Sequence, residues 1–438
     1  MNSNNSTFGK ANDVVSTGRS PSGNHAHEVL LVVLVISSGT FLLSWDPVFV
    51  RLMSVPRAPS ILLFLPLLLF SFGLVFLKAS MPVRIPEFAP AVFAFLCYMF
   101  MRTLWVQWSI TPALLQLLEL GTYVVWALLM YSLLLRYTPK ISYYALIVFV
   151  FGVVSVAFFG LLVSGLPGGR LTIVAGYNPK LLAAVLAWSV VALVWLLQRT
   201  IGASRLLVCI SIVIVGMLLI LTQGKNALFS IALGGIAALI LMKHIRFKFI
   251  MARRSFVKIK TIRIVVVSAI LISVAGVALY STGVANQLVR FRFGDLIDGD
   301  INRFSSGRVF IWEGYLAVLR QEASLFGSGI GTAGVRYSRY WPNRQPMSPH
   351  NMYIRVLVEA GFVGLLLMIR FLVKMVRFAR SSGETVAVWI ACSLPFLLFA
   401  NDEIYERTFW IGVLVMLLIV TGSERPKRTW RTLRNRDN

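Results

Sequence analysis

The chain has 438 residues, 58% of them apolar and 13% charged, with a mean hydropathy of +0.79. Soluble globular domains carry about 25% charged and about 45–50% apolar residues, so a soluble enzyme is excluded, and so is a disordered chain. The net charge is +25, from 42 basic and 17 acidic residues; on a soluble domain this would suggest a nucleic-acid partner. In a chain built of long apolar blocks it reads instead as the basic bias of loops on one side of a membrane, with no nucleic acid.

Residues 1–28 are polar and rich in Ser, Asn and Gly, and read as a disordered tail. No short basic segment precedes a brief apolar core with a small-residue cleavage site, so the first span itself is expected to direct insertion. Twelve apolar segments follow, at 29–50, 61–78, 88–108, 113–135, 142–164, 180–198, 206–222, 226–242, 262–281, 351–373, 385–400 and 407–422. Each is close to the ~20 residues that cross a bilayer as a helix. The expected fold is an all-α polytopic membrane protein of about twelve transmembrane helices. Arg102 and Gln107 interrupt the third segment, and a turn of Gln223-Gly224-Lys225 joins the seventh and eighth.

Residues 29–281 thus hold spans one to nine, 351–422 hold spans ten to twelve, and 423–438 form a basic tail. An even number of spans puts both termini on one side. Basic residues in both tails, in the 243–263 segment and at Arg136, Lys140, Arg199, Arg205, Lys374, Arg377 and Arg380 mark that side as cytoplasmic. No periodic repeat of the kind that builds transporter cores stands out. Cys97, Cys209 and Cys392 lie in apolar stretches without disulfide or metal-ligand spacing. Glu119 is an acid inside a span, a functional hypothesis by default, and sequence names no partner for it.

The segment 282–350, between spans nine and ten, is an external loop on this topology. Loops longer than ~60 residues cross largely regardless of charge. It carries Arg290, Arg292, Arg303, Arg308, Arg320, Arg336, Arg339 and Arg344 and no lysine, against Asp295, Asp298, Asp300, Glu313 and Glu322. The acids are too few to pair with every arginine, and arginine suits bidentate phosphate contact. Asp298-Gly299-Asp300 resembles the Asp-x-Asp metal motif of soluble sugar-nucleotide transferases, but no such domain surrounds it, so no metal site is expected. His25 and His27 lie in the tail and His244 in the basic cytoplasmic segment. His350, where the long loop re-enters the membrane, is the outward histidine. Its unperturbed pKa near neutrality suits a general base, although a lone interfacial histidine is more often structural.

The surroundings of His350 narrow the reading. Gly307-Arg308-Val309-Phe310-Ile311-Trp312 is followed by Phe326-Gly327-Ser328-Gly329-Ile330-Gly331, then by Pro349-His350-Asn351, and after nine residues by Gly361-Phe362-Val363-Gly364. This resembles the O-antigen ligase and polymerase superfamily, with its Arg-x-x-x-Trp element, glycine run, His-Asn pair and following Gly-x-x-Gly. The twelve-span layout with a long loop ahead of the motif is similar too. The resemblance implies a multi-span glycosyltransferase of lipid-linked donors in the bacterial inner membrane, with its active site on the periplasmic face and both termini cytoplasmic. It would move a glycan from undecaprenyl pyrophosphate to an acceptor hydroxyl, that of lipid A core for a ligase or of a growing glycan for a polymerase. Neither metal nor cofactor is implied, and membrane lipids are the remaining partners.

His350 matches the family's essential histidine and Arg308 the arginine of Arg-x-x-x-Trp; these are the expected catalytic pair. The place of a second family arginine is taken by Lys225, which keeps the charge and loses the planar fork. Lys225, Arg303, Arg336, Arg339, Arg355 and Asn351 are the expected substrate-binding residues. Arg355 and Glu359 are four apart on one helix face, so Arg355 either pairs with Glu359 or reaches the pyrophosphate. Gly176-Tyr177-Asn178-Pro179-Lys180 also resembles a family pattern, or is simply a helix start with its proline. The three glycines at 327, 329 and 331 follow no strand and read as a tight backbone path over the site rather than a nucleotide loop. A lipid-linked glycan transporter is the reading of another class; it would be expected to show broken helices or repeats, which the sequence does not.

Overall fold

A computed structural model describes residues 85–105, 110–135, 139–164, 171, 179–222, 224–250, 299, 307–322, 325–340, 347–400 and 407–423. Among these residues there are only helices and their connections. They are α1 (Ala89–Trp105), α2 (Ile110–Leu134), α3 (Pro139–Ser164), α4 (Pro179–Leu197), α5 (Ala203–Thr222), α6 (Lys225–Ile250), α7 (Arg308–Glu322), α8 (Ala333–Tyr340), α9 (Met352–Ser381), α10 (Thr385–Ala400) and α11 (Arg407–Thr421). Six of them (α2 to α6 and α9) are long and apolar enough to cross a membrane, and α1, α10 and α11 are shorter apolar helices. The protein is a polytopic, helical membrane protein.

The expected segments at 29–50, 61–78 and 262–281 lie outside the described residues. Each of the other nine coincides with one helix. Two run further than their apolar stretch. α6 continues to Ile250 through the basic segment, and α9 continues to Ser381 through Lys374, Arg377 and Arg380. The long loop is also not merely a loop, because it contains α7 and α8. Tyr315 and Tyr337 meet with ring centroids 5.1 Å apart and tilted by 33°, and with Ala333 and Val358 they form a small core of their own, packed against Ile311, Leu319 and Ile354. α7 and α8 are thereby seated on the first turns of α9.

The main core is continuous through α1 to α6 and α9 to α11. In lipid, apolar side chains gain little by leaving the acyl chains, so helices associate through close packing and interhelical hydrogen bonds. Small residues supply the close packing here. A Cβ on Gly234 of α6 would lie 2.6 Å from the Cα of Ser393 on α10. Beside it Trp389 donates its indole N–H to the Ile231 carbonyl at 2.6 Å. Gly412 of α11 likewise receives the ring of Trp188 on α4, 2.9 Å from where a Cβ would sit.

The helix ends sort into two sets. At one end the connections 198–202 and 382–384 and the end of α11 are tied together by Glu384, which pairs with Arg199 at 3.3 Å and accepts from Ser423 at 2.8 Å. At the other end lie the starts of α4, α6 and α9. We expect Gly234→Leu to destabilise the folded protein by about 1–3 kcal/mol through overpacking against the α10 backbone, read as a lowered melting temperature in detergent, whereas Gly121→Ala, where a Cβ meets nothing within 4 Å, leaves it unchanged.

Candidate functional site

Four helices begin around one place. The turn between α5 and α6 is closed by Thr222, whose hydroxyl accepts from Gly224 N–H at 3.3 Å and donates to the Leu219 carbonyl at 2.6 Å. Gly224 sits directly on α4, because a Cβ there would be 2.2 Å from the Ala183 Cβ. Ala183 is three residues beyond Lys180, on the same helix face. Lys225 then opens α6. Next to it Asn226 accepts from Arg308 at 3.1 Å, and Arg308 opens α7.

One turn along α7, Trp312 donates to the Pro349 carbonyl at 2.8 Å and packs edge-on against Phe399 of α10, with ring centroids 5.5 Å apart. Tyr315 donates to the Met347 carbonyl at 2.6 Å. The Arg-x-x-x-Trp spacing therefore has a mechanical meaning. Residues four apart share a helix face, so Arg308 reaches the α6 start while Trp312 holds the strand of chain that carries His350. His350 has φ of 47°, the one positive φ of a non-glycine among the described residues. That conformation is costly for an L-residue and persists where the surroundings enforce it. Asn351 follows as the N-cap of α9, its side-chain oxygen accepting from Tyr353 N–H at 3.0 Å and Ile354 N–H at 3.2 Å.

Burial, and then the positive charges of Lys180, Arg308 and Arg355, push the pKa of His350 down to about 4. Both effects disfavour the imidazolium, so at neutral pH the ring is uncharged. The starts of α4, α6, α7 and α9 bring the partial positive charge of their helix dipoles to the same region. Cations and helix N-termini together make an anion site.

The wall behind the site is a break in α9. Gly361 has φ 69° and ψ −167°, which interrupts the helical ladder, and chain 325–331 docks there. Ser328 N–H donates to the Val358 carbonyl at 3.0 Å, Gly329 N–H to Glu359 at 2.7 Å, and Val363 N–H to Leu325 at 3.1 Å. The Ala360 carbonyl accepts from Tyr98 at 2.8 Å. Gly327 and Gly361 meet backbone to backbone, so that a Cβ on either would fall 2.3–2.6 Å from the other segment. Arg102 of α1 donates through Nε to the Gly327 carbonyl at 3.0 Å, with Nη2 on the same oxygen. Glu359 is buried; it accepts from Arg355 at 3.2 Å and from Gly331 N–H at 3.0 Å. Arg355 also reaches Gln116 of α2 at 3.5 Å.

His350, Arg308, Arg355, Asn351 and Lys225 are thus brought together, Lys225 through its neighbour Asn226. For Arg355 the ion pair with Glu359 is present, and its charge also bears on His350. Asn351 uses its side-chain oxygen in the cap and so orients the residue before it. Arg336 and Arg339 belong to another grouping: burial and then Arg339 draw the Arg336 pKa down, Tyr340 pushes back, and Arg102 adds to the drop. Arg303, Asp298 and Asp300 lie outside the described residues, and no three His, Cys, Asp or Glu side chains cluster as metal ligands among those described. Sequence reasoning noted Lys180 only within a helix-start pattern and gave Asn226 no role, missed Gln116, and read Arg102 only as an interruption. It named no partner for Glu119, which accepts from Tyr123 one turn away at 2.9 Å.

Compared with known families, residues 210–369 match the model described as O-Antigen ligase. That stretch is similar to the O-antigen ligase family. No curated protein matches the chain. The ligase-type region opens within α5 and closes within α9, so it contains the α5–α6 turn, Arg308, the glycine run, His350 and Gly361. Lys180, Arg102 and Gln116 come from helices ahead of it. The family implies glycan transfer between a lipid-linked donor and an acceptor.

Removing Arg355 would strand Glu359 as a buried charge. We expect Arg355→Ala to cost about 3–5 kcal/mol of stability, measured as thermal unfolding. Arg355→Ala/Glu359→Gln, which removes that charge, should recover much of the loss.

Proposed function

We propose that the protein is an O-antigen ligase that joins a glycan, carried on undecaprenyl pyrophosphate, to an acceptor hydroxyl of lipid A core on the periplasmic face of the inner membrane. The observation that carries the reading is a neutral His350 among Lys180, Arg308 and Arg355 in a domain of the ligase family. Both termini are cytoplasmic on this reading, and the Glu384 end of the bundle faces the cytoplasm.

The step balances on these groups. The acceptor O–H gives its proton to a ring nitrogen of the neutral His350. The acceptor oxygen forms a bond to the anomeric carbon, and the bond from that carbon to the donor phosphate oxygen breaks. The bonding pair leaves with the undecaprenyl pyrophosphate, whose added charge is met by Arg308, Lys225 and the helix N-termini. Donors fixed in place before the charge develops are the most effective kind. Cations and backbone dipoles perform here what a divalent metal would otherwise do, so the transfer is read as metal-independent. A histidine of low pKa is a weak base, and the anionic donor remedies this: it offsets the field of the surrounding cations and lets the imidazole pKa rise once the substrate is in place.

The sign of the pH dependence follows. A base held near pH 4 in the free protein stays neutral down to that region, so kcat/KM, which reports the free enzyme, should lose activity only as pH falls towards 4. The acid limb of kcat, which reports the loaded enzyme, should lie at higher pH. Coincident limbs would contradict the electrostatic account. His350→Ala should lower transfer by about 10²–10⁴. In cells with that variant as the only copy, long polymer on the carrier over bare core identifies a ligase. Single repeats on the carrier identify a polymerase, and unchanged profiles remove His350 as the base.

A further inference from the structure

We propose that Lys180 is a further phosphate-binding residue of the donor site, acting on the pyrophosphate from the α4 side while Arg308 acts from α7. The inference rests on the donor reading above and adds to it a residue outside the ligase-type region at 210–369.

Three observations place it there. Lys180 is in the first turn of α4, on the face that also carries Ala183, and Ala183 is the residue on which Gly224 sits with no room for a Cβ. Lys180 therefore lies on the side of α4 turned to the Gly224-Lys225-Asn226 turn. Asn226 in turn accepts from Arg308 at 3.1 Å, so the α4 start, the α6 start and the α7 start form one rim. Finally, among the charges acting on His350, that of Lys180 is the largest, ahead of Arg308 and Arg355. A cation this near the base is within reach of whatever the base works on.

The chemistry explains why a lysine is useful there. Lysine is a compact point charge on a flexible stem and cannot grip a phosphate in the two-pronged way of arginine. Lys225 alone supplies one such charge at the α6 start. A second lysine from the adjacent helix start allows the phosphoryl oxygens to be held from two sides, with Arg308 supplying the planar fork. The abutting backbones of the α5–α6 turn and α4 fix the spacing of the two lysines. The α4 and α6 N-termini add their own partial positive charge to the same anion.

The test uses the purified full chain in detergent, with undecaprenyl pyrophosphate as the probe and undecaprenyl phosphate as its comparison, read by native mass spectrometry. Lys180→Gln should weaken binding of the pyrophosphate form about tenfold or more, as expected for loss of a charged hydrogen bond, while Lys180→Arg, which keeps the charge, stays within a few-fold of the parent. The acid limb of kcat/KM provides a second readout. His350 is faced by Lys180 from α4, Arg308 from α7 and Arg355 from α9, with Lys225 of α6 next to Asn226. Removing one of these cations should move the limb to higher pH in Lys180→Gln. A lysine whose charge does not reach His350 would leave the limb in place, and one that reaches it without binding phosphate would move the limb and leave pyrophosphate affinity at the parental value.

Parental affinity in Lys180→Gln, whether or not the limb moves, with binding lost in Arg308→Ala, overturns the role of Lys180 and leaves the donor reading standing. Parental affinity in both variants overturns the donor reading as well. Should Lys180→Gln lack a normal melting transition, Lys180→Met is read in its place against the same two outcomes.

Discussion

A break in a membrane helix exposes backbone carbonyls that lipid cannot satisfy, and each one left unpaired costs several kcal/mol. In this protein the break at Gly361 is filled by chain 325–331, and the carbonyls of Val358, Glu359 and Ala360 are all taken up by Ser328, Gly329 and Tyr98. The rest of the site depends on that docking. It holds the loop preceding α8 against α9 and buries Glu359, which in turn orients Arg355. It also fixes the glycine run so that Arg102 can close over the Gly327 carbonyl. Irregular backbone inside a membrane protein is tolerated where protein covers it, and here the covering segment is an arginine-rich loop bearing part of the functional machinery.

The same docking makes α7 more than a connection. Its small aromatic core with α8 rests on Val358 and Ile354, so α7 is oriented by the docked part of α9. From there Arg308 and Trp312 act in opposite directions, one to the α6 start and one to Pro349. His350 is left in a strained backbone conformation between two fixed points, the indole of Trp312 and the cap at Asn351. On the proposed reading, a base held in this way loses little freedom when a substrate arrives, which is the sense in which preorganisation lowers a barrier. A transporter would need its broken helix to line a substrate path. In α9 the freed groups are spent on protein contacts, and this favours a fixed site.

Much of this was legible in the sequence. Nine apolar segments became nine helices, because ~20 apolar residues in a row have few other solutions in a bilayer. His350 and Arg308 could be paired because their motif spacing is local: four residues to Trp312, one to Asn351, and ten from Asn351 to the glycine that breaks the helix. The i, i+4 pair of Arg355 and Glu359 was readable for the same reason. What was not legible came from contacts across long separations. Arg102 looked like a flaw in a span because its acceptor, Gly327, lies 225 positions away. Lys180 looked like part of a helix start because nothing local connects it to His350.

The sequence by itself therefore determined the apolar, membrane-spanning character, the helical class, and the short-range motif that resembles the ligase family. All of these follow from composition and from spacings of a few residues, where helix geometry decides which side chains share a face. Only the tertiary structure decided which cations surround His350, that α9 is broken and refilled, and that four helix starts converge on one place. Those outcomes depend on which backbones can approach closely enough, as at Gly224 on Ala183 and Gly327 on Gly361. The sum of such distant contacts cannot be read from periodicity.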